Sequence, residues 1–194
     1  MLNSSADWIH LDVMDGTLVP NISFGFSVID AIAPVASIPM DAHLMVVHPE
    51  RWFERLAADK VEYVSFHLEA AGAHTAEYIE RLHSLGIKAG VAINPDVPVS
   101  KLFKYIGKAD FFLIMSVFAG FGGQKFIYES LDRIALLRAE ITKKGLDTPI
   151  EVDGGVSEAN AAALREAGAN VLVAGSAVFK AASPSGVIAA LRQA

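Results

Sequence analysis

Hydrophobic positions along the chain fall into seven short runs that are separated by longer segments of helical character. Each run has the length of a strand and is rich in Val, Ile and Phe. We therefore predict strands at residues 8–14, 40–46, 63–67, 88–93, 111–117, 150–152 and 171–174. Between them, Pro49 can open a helix ahead of residues 50–58, and Gly86 can end one over 74–85. Ser157 and Gly168 can bound a helix over 158–167.

Alternation of buried strands with helices predicts a parallel sheet of the α/β class. Seven successive strand–helix units, with no obvious shift in composition, favour a (β/α) barrel over a doubly wound sheet. We expect a single domain over residues 1–194, because we find no linker or low-complexity stretch.

Polar residues at the ends of the first three predicted strands share one parity. A strand's period of two makes each trio point the same way, and the apolar residues between them would face the outer helices. Barrels of this kind place their chemistry at the C-terminal mouth, where these side chains would gather. The trios are His10, Asp12 and Met14; Asp41, His43 and Met45; and Ser65, His67 and Glu69.

Five ionisable groups are expected to converge at that mouth: His10, Asp12, His43, His67 and Asp153. Each one alone could be an ordinary polar core residue with a partner. The repetition of His-x-Asp and Asp-x-His at equivalent strand ends favours a metal site, because buried charges are costly unless they are paired or bound to metal. Two imidazoles and two carboxylates suit Zn²⁺, Fe²⁺ or Mn²⁺. We predict one divalent ion on His10, Asp12, His43 and Asp153. Met14, Met45 and Met115 could line a water-poor pocket or simply fill the core.

Glycine-rich turns follow three later strands, at Gly120-Phe121-Gly122-Gly123, at Gly154-Gly155 and at Gly175-Ser176. Each could be no more than a tight strand–helix turn. Three such turns after the last strands favour a phosphate site, because backbone N–H groups can approach a ligand closely there and barrel phosphate sites gather at that end. Neither a Walker A loop nor a dinucleotide fingerprint is present, so we expect no nucleotide cofactor.

Composition narrows the class of protein further. Hydrophobic residues make up 53% of the 194 and charged residues 20%, which is typical of a folded domain with many buried strands. There are no cysteines, which excludes disulfides and a thiol nucleophile. The net charge of −6 and the lack of a basic cluster argue against nucleic-acid and membrane partners. The N-terminus is not typical of a signal peptide, and we expect a cytoplasmic protein.

The chain also resembles a known family, the ribulose-phosphate 3-epimerases. The resemblance rests on motifs that occur in the family's order over essentially the whole chain: HLDVMDG at 10–16 with VPN at 19–21, DAHLMV at 41–46, HLEA at 67–70, MSV-x-x-GFGGQKF at 115–126, EVDGGV at 151–156 and GSAVF at 175–179. It implies a (β/α)8 TIM-type barrel in which the first strand and helix are missing, so that the chain starts just before the family's second strand.

The resemblance further implies a metal on His10, Asp12, His43 and Asp153, with Asp12 and Asp153 as the acid/base pair. It implies that His43 contacts the substrate and that the three glycine turns hold its phosphate. Two features depart from the family's pattern. A substrate-contacting Ser on the first strand has no counterpart, and Phe118-Ala119 replaces an acidic or amide residue followed by Pro.

These residues suit epimerisation beside a ketone, in which a metal stabilises an enediolate while two Asp carboxylates exchange a proton from opposite faces. The expected substrate is a small phosphorylated ketose, and ribulose 5-phosphate and xylulose 5-phosphate would interconvert in the pentose phosphate pathway. We also expect a homo-oligomer. Two alternatives remain open, an epimerase acting on a ketohexose 6-phosphate such as allulose 6-phosphate, and an inactive or regulatory barrel fragment that only binds metal or phosphate.

Overall fold

The computed structural model describes residues 5–194, and within it the chain divides into two compact units. The first extends to Val91 and the second is Ala92–Ala194. Residues 1–4 lie outside the described residues, and with them the start of the N-terminus, which the sequence predicts is not a signal peptide. No helix within residues 5–194 combines the length and the apolar character that a membrane crossing requires.

The first unit is built from parallel strands joined by helices. Its strands are β1 (Ile9–Met14), β2 (Met40–Met45) and β3 (Tyr63–His67), followed by β4 (Lys88–Ile93), which contains the division between the units. Its helices are α1 (Phe26–Ile32), α2 (Phe53–Ala58), α3 (Leu68–Ala71) and α4 (Thr75–Ser84), with 3-10 turns at Pro49–Arg51 and Gly72–His74.

Apolar side chains of one strand parity form the core of this unit. Leu44 and Phe66 are buried, as are Phe53 and Leu56 of α2. The ring of Phe53 packs against Phe66 with centroids 6.1 Å apart, and Tyr78 of α4 meets both rings edge-on. The opposite parity carries the polar residues, so burial of the apolar face fixes which face presents His10, Asp12 and His43.

The second unit contains β5 (Phe111–Met115), β6 (Ile150–Asp153) and β7 (Val171–Val173), which pair in that order as parallel neighbours. Its helices are α5 (Ser130–Lys143), α6 (Glu158–Ala167), α7 (Ser176–Phe179) and α8 (Pro184–Gln193), preceded by a 3-10 helix at Val99–Tyr105. Helix α6 begins after Ser157 and ends at left-handed Gly168, as the sequence predicts. The structure adds a capping box, in which the Ser157 N–H donates to the side-chain oxygen of Asn160 at 2.9 Å.

All seven predicted strands are confirmed, and their bounds differ from the prediction by no more than two residues. One placement is wrong. Glu69 was assigned to the third strand, but β3 ends at His67 and Glu69 lies in the short helix α3. The chain turns helical directly after His67, so the period of two no longer applies to Glu69.

Candidate metal centre and active site

Three of the four predicted metal ligands meet at the C-terminal ends of β1 and β2. Asp12 and His43 are Cα partners in the β1–β2 register, and His10 lies two residues before Asp12 on the same face. His10 Nε2 and His43 Nδ1 each lie 3.3 Å from Asp12 Oδ1. One ligand atom from each of the three residues lies within 4.8 Å of the others. Two imidazole nitrogens and a carboxylate oxygen this close together are donors that a transition-metal ion or Zn²⁺ accepts.

The other ring nitrogen of His10 is held by a carboxylate. His10 Nδ1 lies 2.6 Å from Oδ2 of Asp41, its partner in the β1–β2 register, and the Asp41 side chain is fully buried. This contact assigns the proton to Nδ1 and turns Nε2 towards Asp12. A carboxylate behind a ligating imidazole is the usual arrangement for orienting it. Asp41 belongs to one of the predicted polar trios, and its parity with His43 was the only signal in the sequence for this role.

His67 completes a row of side chains on this face. His43 pairs with Ser65 in the β2–β3 register, and His67 lies two residues further along β3. The Nε2 atoms of His43 and His67 are 2.9 Å apart, and both side chains are fully buried. Within the first unit the structure thus brings together four predicted ionisable groups: His10, Asp12, His43 and His67.

The surroundings of these groups shift their acidity in directions that suit metal binding. Burial alone would raise the pKa of Asp12, but the contacts with His10 and His43 outweigh it and hold that pKa well below its ordinary value. Burial lowers the pKa of His43 to about 4, with the contact to Asp12 opposing that shift. At neutral pH Asp12 is therefore a carboxylate and His43 a neutral imidazole, which are the protonation states of metal ligands.

The loop after β1 folds back over the strand end and fixes its position. Ser23 donates its hydroxyl to the Asp12 carbonyl at 2.5 Å and accepts from the backbone N–H of Met14 at 3.0 Å. Asp15 accepts from the backbone N–H groups of Thr17, Leu18 and Val47 at 2.8–2.9 Å. Because Val47 follows β2, Asp15 joins the ends of both strands that carry the candidate ligands.

The second unit brings two of the three predicted glycine turns together. Ser116, just after β5, donates its hydroxyl to the carbonyls of Asp153 and Gly154 at 2.9 and 2.6 Å. A Cβ on Gly155 would lie 2.8 Å from the backbone nitrogen of Phe126, which shows how closely the loop after β5 crosses this turn. Gly122 and Gly123 are exposed on that loop, and Gly154 and Gly155 are half-buried.

Three polar side chains that no sequence motif marks fix the conformation of this loop. Asn94 accepts from the backbone N–H of Ala119 through its side-chain oxygen at 3.0 Å. Arg133 of α5 donates to the carbonyls of Met115, Asn94 and Val97 at 2.8–3.2 Å. Gln124 donates to the carbonyls of Phe118 and Phe121 at 2.7 and 2.8 Å. Only the tertiary contacts reveal these roles, because isolated Asn, Arg and Gln residues carry no pattern.

The remaining predicted residues lie at strand ends. Asp153 is the last residue of β6, half-buried, with Met115 and Val173 as its register partners on either side. Gly175 and Ser176 follow β7 and are exposed. Met14 and Met45 are register partners, with Met45 fully buried, and Met115 is also buried. Their role as pocket lining stays a prediction.

Parallel strand–helix units with clustered His and carboxylate side chains at the strand ends, together with glycine-rich turns in the second unit, are typical of (β/α)-barrel enzymes. The ribulose-phosphate 3 epimerase family matches this chain over residues 1–179, and the chain belongs to that family. The family is one of epimerases, which are isomerases.

Curated relatives agree with this assignment. The chain is 48% identical over 177 residues to the chloroplastic ribulose-5-phosphate-3-epimerase of Arabidopsis thaliana, covering 91% of this chain and 63% of that protein. It therefore spans less than two thirds of that relative's length. The ribulose-phosphate 3-epimerase of Synechocystis sp. is 45% identical over 190 residues, which is 97% of this chain and 83% of the relative. That of Bacillus subtilis is 44% identical over 175 residues, 90% of this chain and 80% of the relative.

Solved structures show the fold. A 3-hexulose-6-phosphate synthase aligns with a TM-score of 0.71 and 21% identity, over 96% of this chain and 86% of that one. The tryptophan synthase α-subunit of Pyrococcus furiosus aligns with a TM-score of 0.68 and 17% identity, over 95% of this chain and 84% of that one. At these identities the likeness concerns fold alone, and it confirms the predicted TIM-type barrel class.

Proposed function

We propose that this chain interconverts D-ribulose 5-phosphate and D-xylulose 5-phosphate by inverting C3, with the help of one divalent metal ion. The observation that carries the proposal is the meeting of His10 Nε2 and His43 Nδ1 around one oxygen of Asp12. Family membership supports the reaction, because the relatives from Synechocystis sp. and Bacillus subtilis bear the name ribulose-phosphate 3-epimerase. The donor set fits a metal, and we assign Asp153 as its fourth ligand.

The chemistry that a divalent ion supplies is stabilisation of the negative charge that develops on the ketone oxygen when the neighbouring carbon loses its proton. The protein's own groups move the proton. Asp12 is ionised at neutral pH, because its contacts with His10 and His43 offset the effect of burial on its pKa. An ionised carboxylate can accept the C3 proton, and a second carboxylate must return one to the opposite face for the configuration to invert. We assign that second role to Asp153.

The substrate's phosphate is proposed to bind the glycine turns of the second unit. Gly122 and Gly123 are exposed on a loop that Gln124 and Asn94 hold in place. Backbone N–H groups of such turns can point at an anion without a side chain in the way. Phe121, Gly154, Gly155, Gly175 and Ser176 complete the proposed phosphate site, with Gly120 as its first residue. His43 is proposed to contact the substrate as well.

Deuterium exchange tests the reaction directly. The purified chain, supplied with Mn²⁺ or Zn²⁺, is incubated with ribulose 5-phosphate in D₂O, and the products are followed by proton NMR. We expect xylulose 5-phosphate with deuterium at C3. Product without deuterium at C3 would exclude proton exchange with solvent as the mechanism. Faster turnover of allulose 6-phosphate would assign a ketohexose substrate instead, and metal binding without turnover of either sugar would favour an inactive barrel.

Metal content tests the site independently of activity. Elemental analysis after purification without chelator should show about one equivalent per chain, and His43→Ala should lower it sharply. Undiminished metal in His43→Ala would contradict the ligand assignment. Arg55→Ala is a suitable control, because Arg55 pairs with Asp30 at the surface of the same unit.

The proposal also includes a homo-oligomer in the cytoplasm. Exposed aromatic side chains such as Phe121, Tyr128 and Phe179 support an oligomer, because aromatic residues are enriched at subunit interfaces. Light scattering coupled to size-exclusion chromatography tests the oligomer, and a monomer at micromolar concentration would contradict it.

A further inference from the structure

The first unit contains a third histidine, His67, that the proposed metal set does not use. It is the last residue of β3, and its side chain is fully buried. Its Nε2 lies 2.9 Å from His43 Nε2, the ring nitrogen of His43 on the far side from Asp12. A buried imidazole in contact with the far ring nitrogen of a candidate ligand is placed to orient that ligand.

The contact constrains the protons of both rings. Two neutral imidazole nitrogens 2.9 Å apart form a hydrogen bond only if one carries hydrogen and the other accepts. If His67 Nε2 is the donor, His43 accepts at Nε2 and carries its own hydrogen on Nδ1, facing Asp12 Oδ1 at 3.3 Å. In that arrangement Nδ1 has no lone pair to offer a metal. If His43 Nε2 is the donor, its Nδ1 lone pair faces the proposed metal position.

Glu69 favours the second arrangement. When His67 accepts at Nε2, its own hydrogen must be on Nδ1. His67 Nδ1 is buried and has no hydrogen-bond partner within residues 5–194, and it lies 3.5 Å from Glu69 Oε1 across an ion-pair contact. A carboxylate at that distance stabilises hydrogen on Nδ1 rather than on Nε2. In this arrangement His43 Nε2 donates to His67 Nε2, and the hydrogen on His67 Nδ1 faces the Glu69 carboxylate.

We propose that His67, backed by Glu69, is a positioning residue that selects the tautomer of His43 in which Nδ1 can bind the metal ion. In the metal-free protein Asp12 Oδ1, 3.3 Å from His43 Nδ1, keeps the hydrogen of His43 on Nδ1. Metal binding moves that hydrogen to Nε2, and Glu69 favours the move because it stabilises the form of His67 that accepts at Nε2. His10 is oriented in the same way, since Asp41 accepts from His10 Nδ1, the ring nitrogen that faces away from Asp12, at 2.6 Å. Both candidate imidazole ligands are thus oriented by a buried neighbour. This inference rests on the metal site of the proposed function.

Metal affinity and NMR together test the inference without any assay of turnover. Affinity for Zn²⁺ is measured by competition with a chromophoric chelator, using metal-free protein, for the parent, His67→Phe and Glu69→Gln. We expect His67→Phe to lower the affinity about 10–100-fold, the range found for partners of metal ligands. Glu69→Gln should lower it less, because an amide can still face the imidazole but without the charge.

Matched controls exist in the same unit. His74 Nδ1 lies 2.9 Å from Glu77 Oε2 at the surface, so His74→Phe and Glu77→Gln remove the same chemical groups away from the site. Both should bind Zn²⁺ as the parent does. Far-UV circular dichroism confirms folding, and Glu69→Gln keeps the test decisive if His67→Phe does not fold, because Glu69 lies at the surface on α3.

Long-range nitrogen–proton correlation spectra of the parent report which ring nitrogen carries hydrogen. We expect Nδ1–H for His43 without metal, and Nε2–H for His43 with Nδ1–H for His67 once Zn²⁺ is added. Unchanged affinity in both Glu69→Gln and a folded His67→Phe, or coordination of Zn²⁺ through His43 Nε2, would overturn the inference while leaving the epimerase proposal intact. A parent that binds no Zn²⁺ at all would overturn both.

Discussion

Gly155 is a position where a single added methyl group should destabilise the second unit. Its φ of +63° lies in the left-handed region, and an added Cβ would lie 2.8 Å from the backbone nitrogen of Phe126 and 3.0 Å from the carbonyl oxygen of Gln124. Both contacts are with backbone, so neither can be relieved by rotating a side chain. The loop that carries Gly122 and Gly123 would have to move.

The magnitude follows from two additive costs. A left-handed conformation costs a non-glycine residue about 1–2 kcal/mol, and overpacking against a fixed neighbour costs about 1–3 kcal/mol. We therefore expect Gly155→Ala to lower the free energy of unfolding by about 2–5 kcal/mol, a large part of the ~5–15 kcal/mol typical of a domain. Binding of inorganic phosphate should weaken at the same time, because the two proposed phosphate turns would separate.

Two neighbouring glycines separate these costs. Gly123 has a φ of +75° but open space around an added Cβ, so Gly123→Ala should carry only the conformational cost of about 1–2 kcal/mol. Gly122 has neither a positive φ nor a close neighbour, so Gly122→Ala should be neutral, or stabilising by up to about 1 kcal/mol. Urea denaturation of the three variants measures the order. If Gly155→Ala were no less stable than Gly123→Ala, the close crossing of the loop over Gly155 would be wrong.

Three further outcomes are expected. Asp12→Asn and Asp153→Asn should each lower kcat/KM for ribulose 5-phosphate by at least about 10²–10⁴-fold, the contribution of a general acid or base, and a loss below tenfold would contradict their assignment. Burial lowers the pKa of His43 to about 4, so the folded metal-free protein binds fewer protons than the unfolded chain between about pH 6.5 and 4. Its free energy of unfolding, measured by urea denaturation at a series of pH values, should fall by about 3 kcal/mol as pH decreases through that window. The fall should be smaller in His43→Gln. Equal dependence on pH in the two proteins would refute this account. Asp15→Asn should cost about 1–3 kcal/mol, because its amide nitrogen cannot accept from the Val47 N–H. Asp30→Asn, which removes an exposed partner of Arg55, should cost no more than about 1 kcal/mol.

Local features of the chain were predictable because they depend on short-range periodicity. Strands β3 and β4 have the predicted bounds, and the Ser157 cap and Gly168 stop of α6 are as expected. Parity along β1 and β2 placed His10, Asp12 and His43 on one face, since a buried apolar face permits only one register. The parity argument failed at Glu69, where the strand gives way to a helix within one residue.

Pairings between side chains distant in sequence could not be predicted, because they depend on strand register and on how each loop folds back. The sequence identified His67 as an ionisable group at a strand end, but only the 2.9 Å contact with His43 shows what it touches. Three other hydrogen bonds were equally unpredictable: those of Asp41 with His10, of Asn94 with Ala119, and of Gln124 with Phe118 in its own loop.

The sequence by itself therefore determined the order of strands, the face that each strand presents and the types of ligand atom at its end. These follow from the alternation of side chains along a strand and from the chemistry of His and Asp. The tertiary structure decided which nitrogen of each imidazole faces Asp12, since a hydrogen bond to one ring nitrogen fixes the direction of the other. The residues on the far side, Asp41 and His67, become neighbours of His10 and His43 only when the strands pair in register.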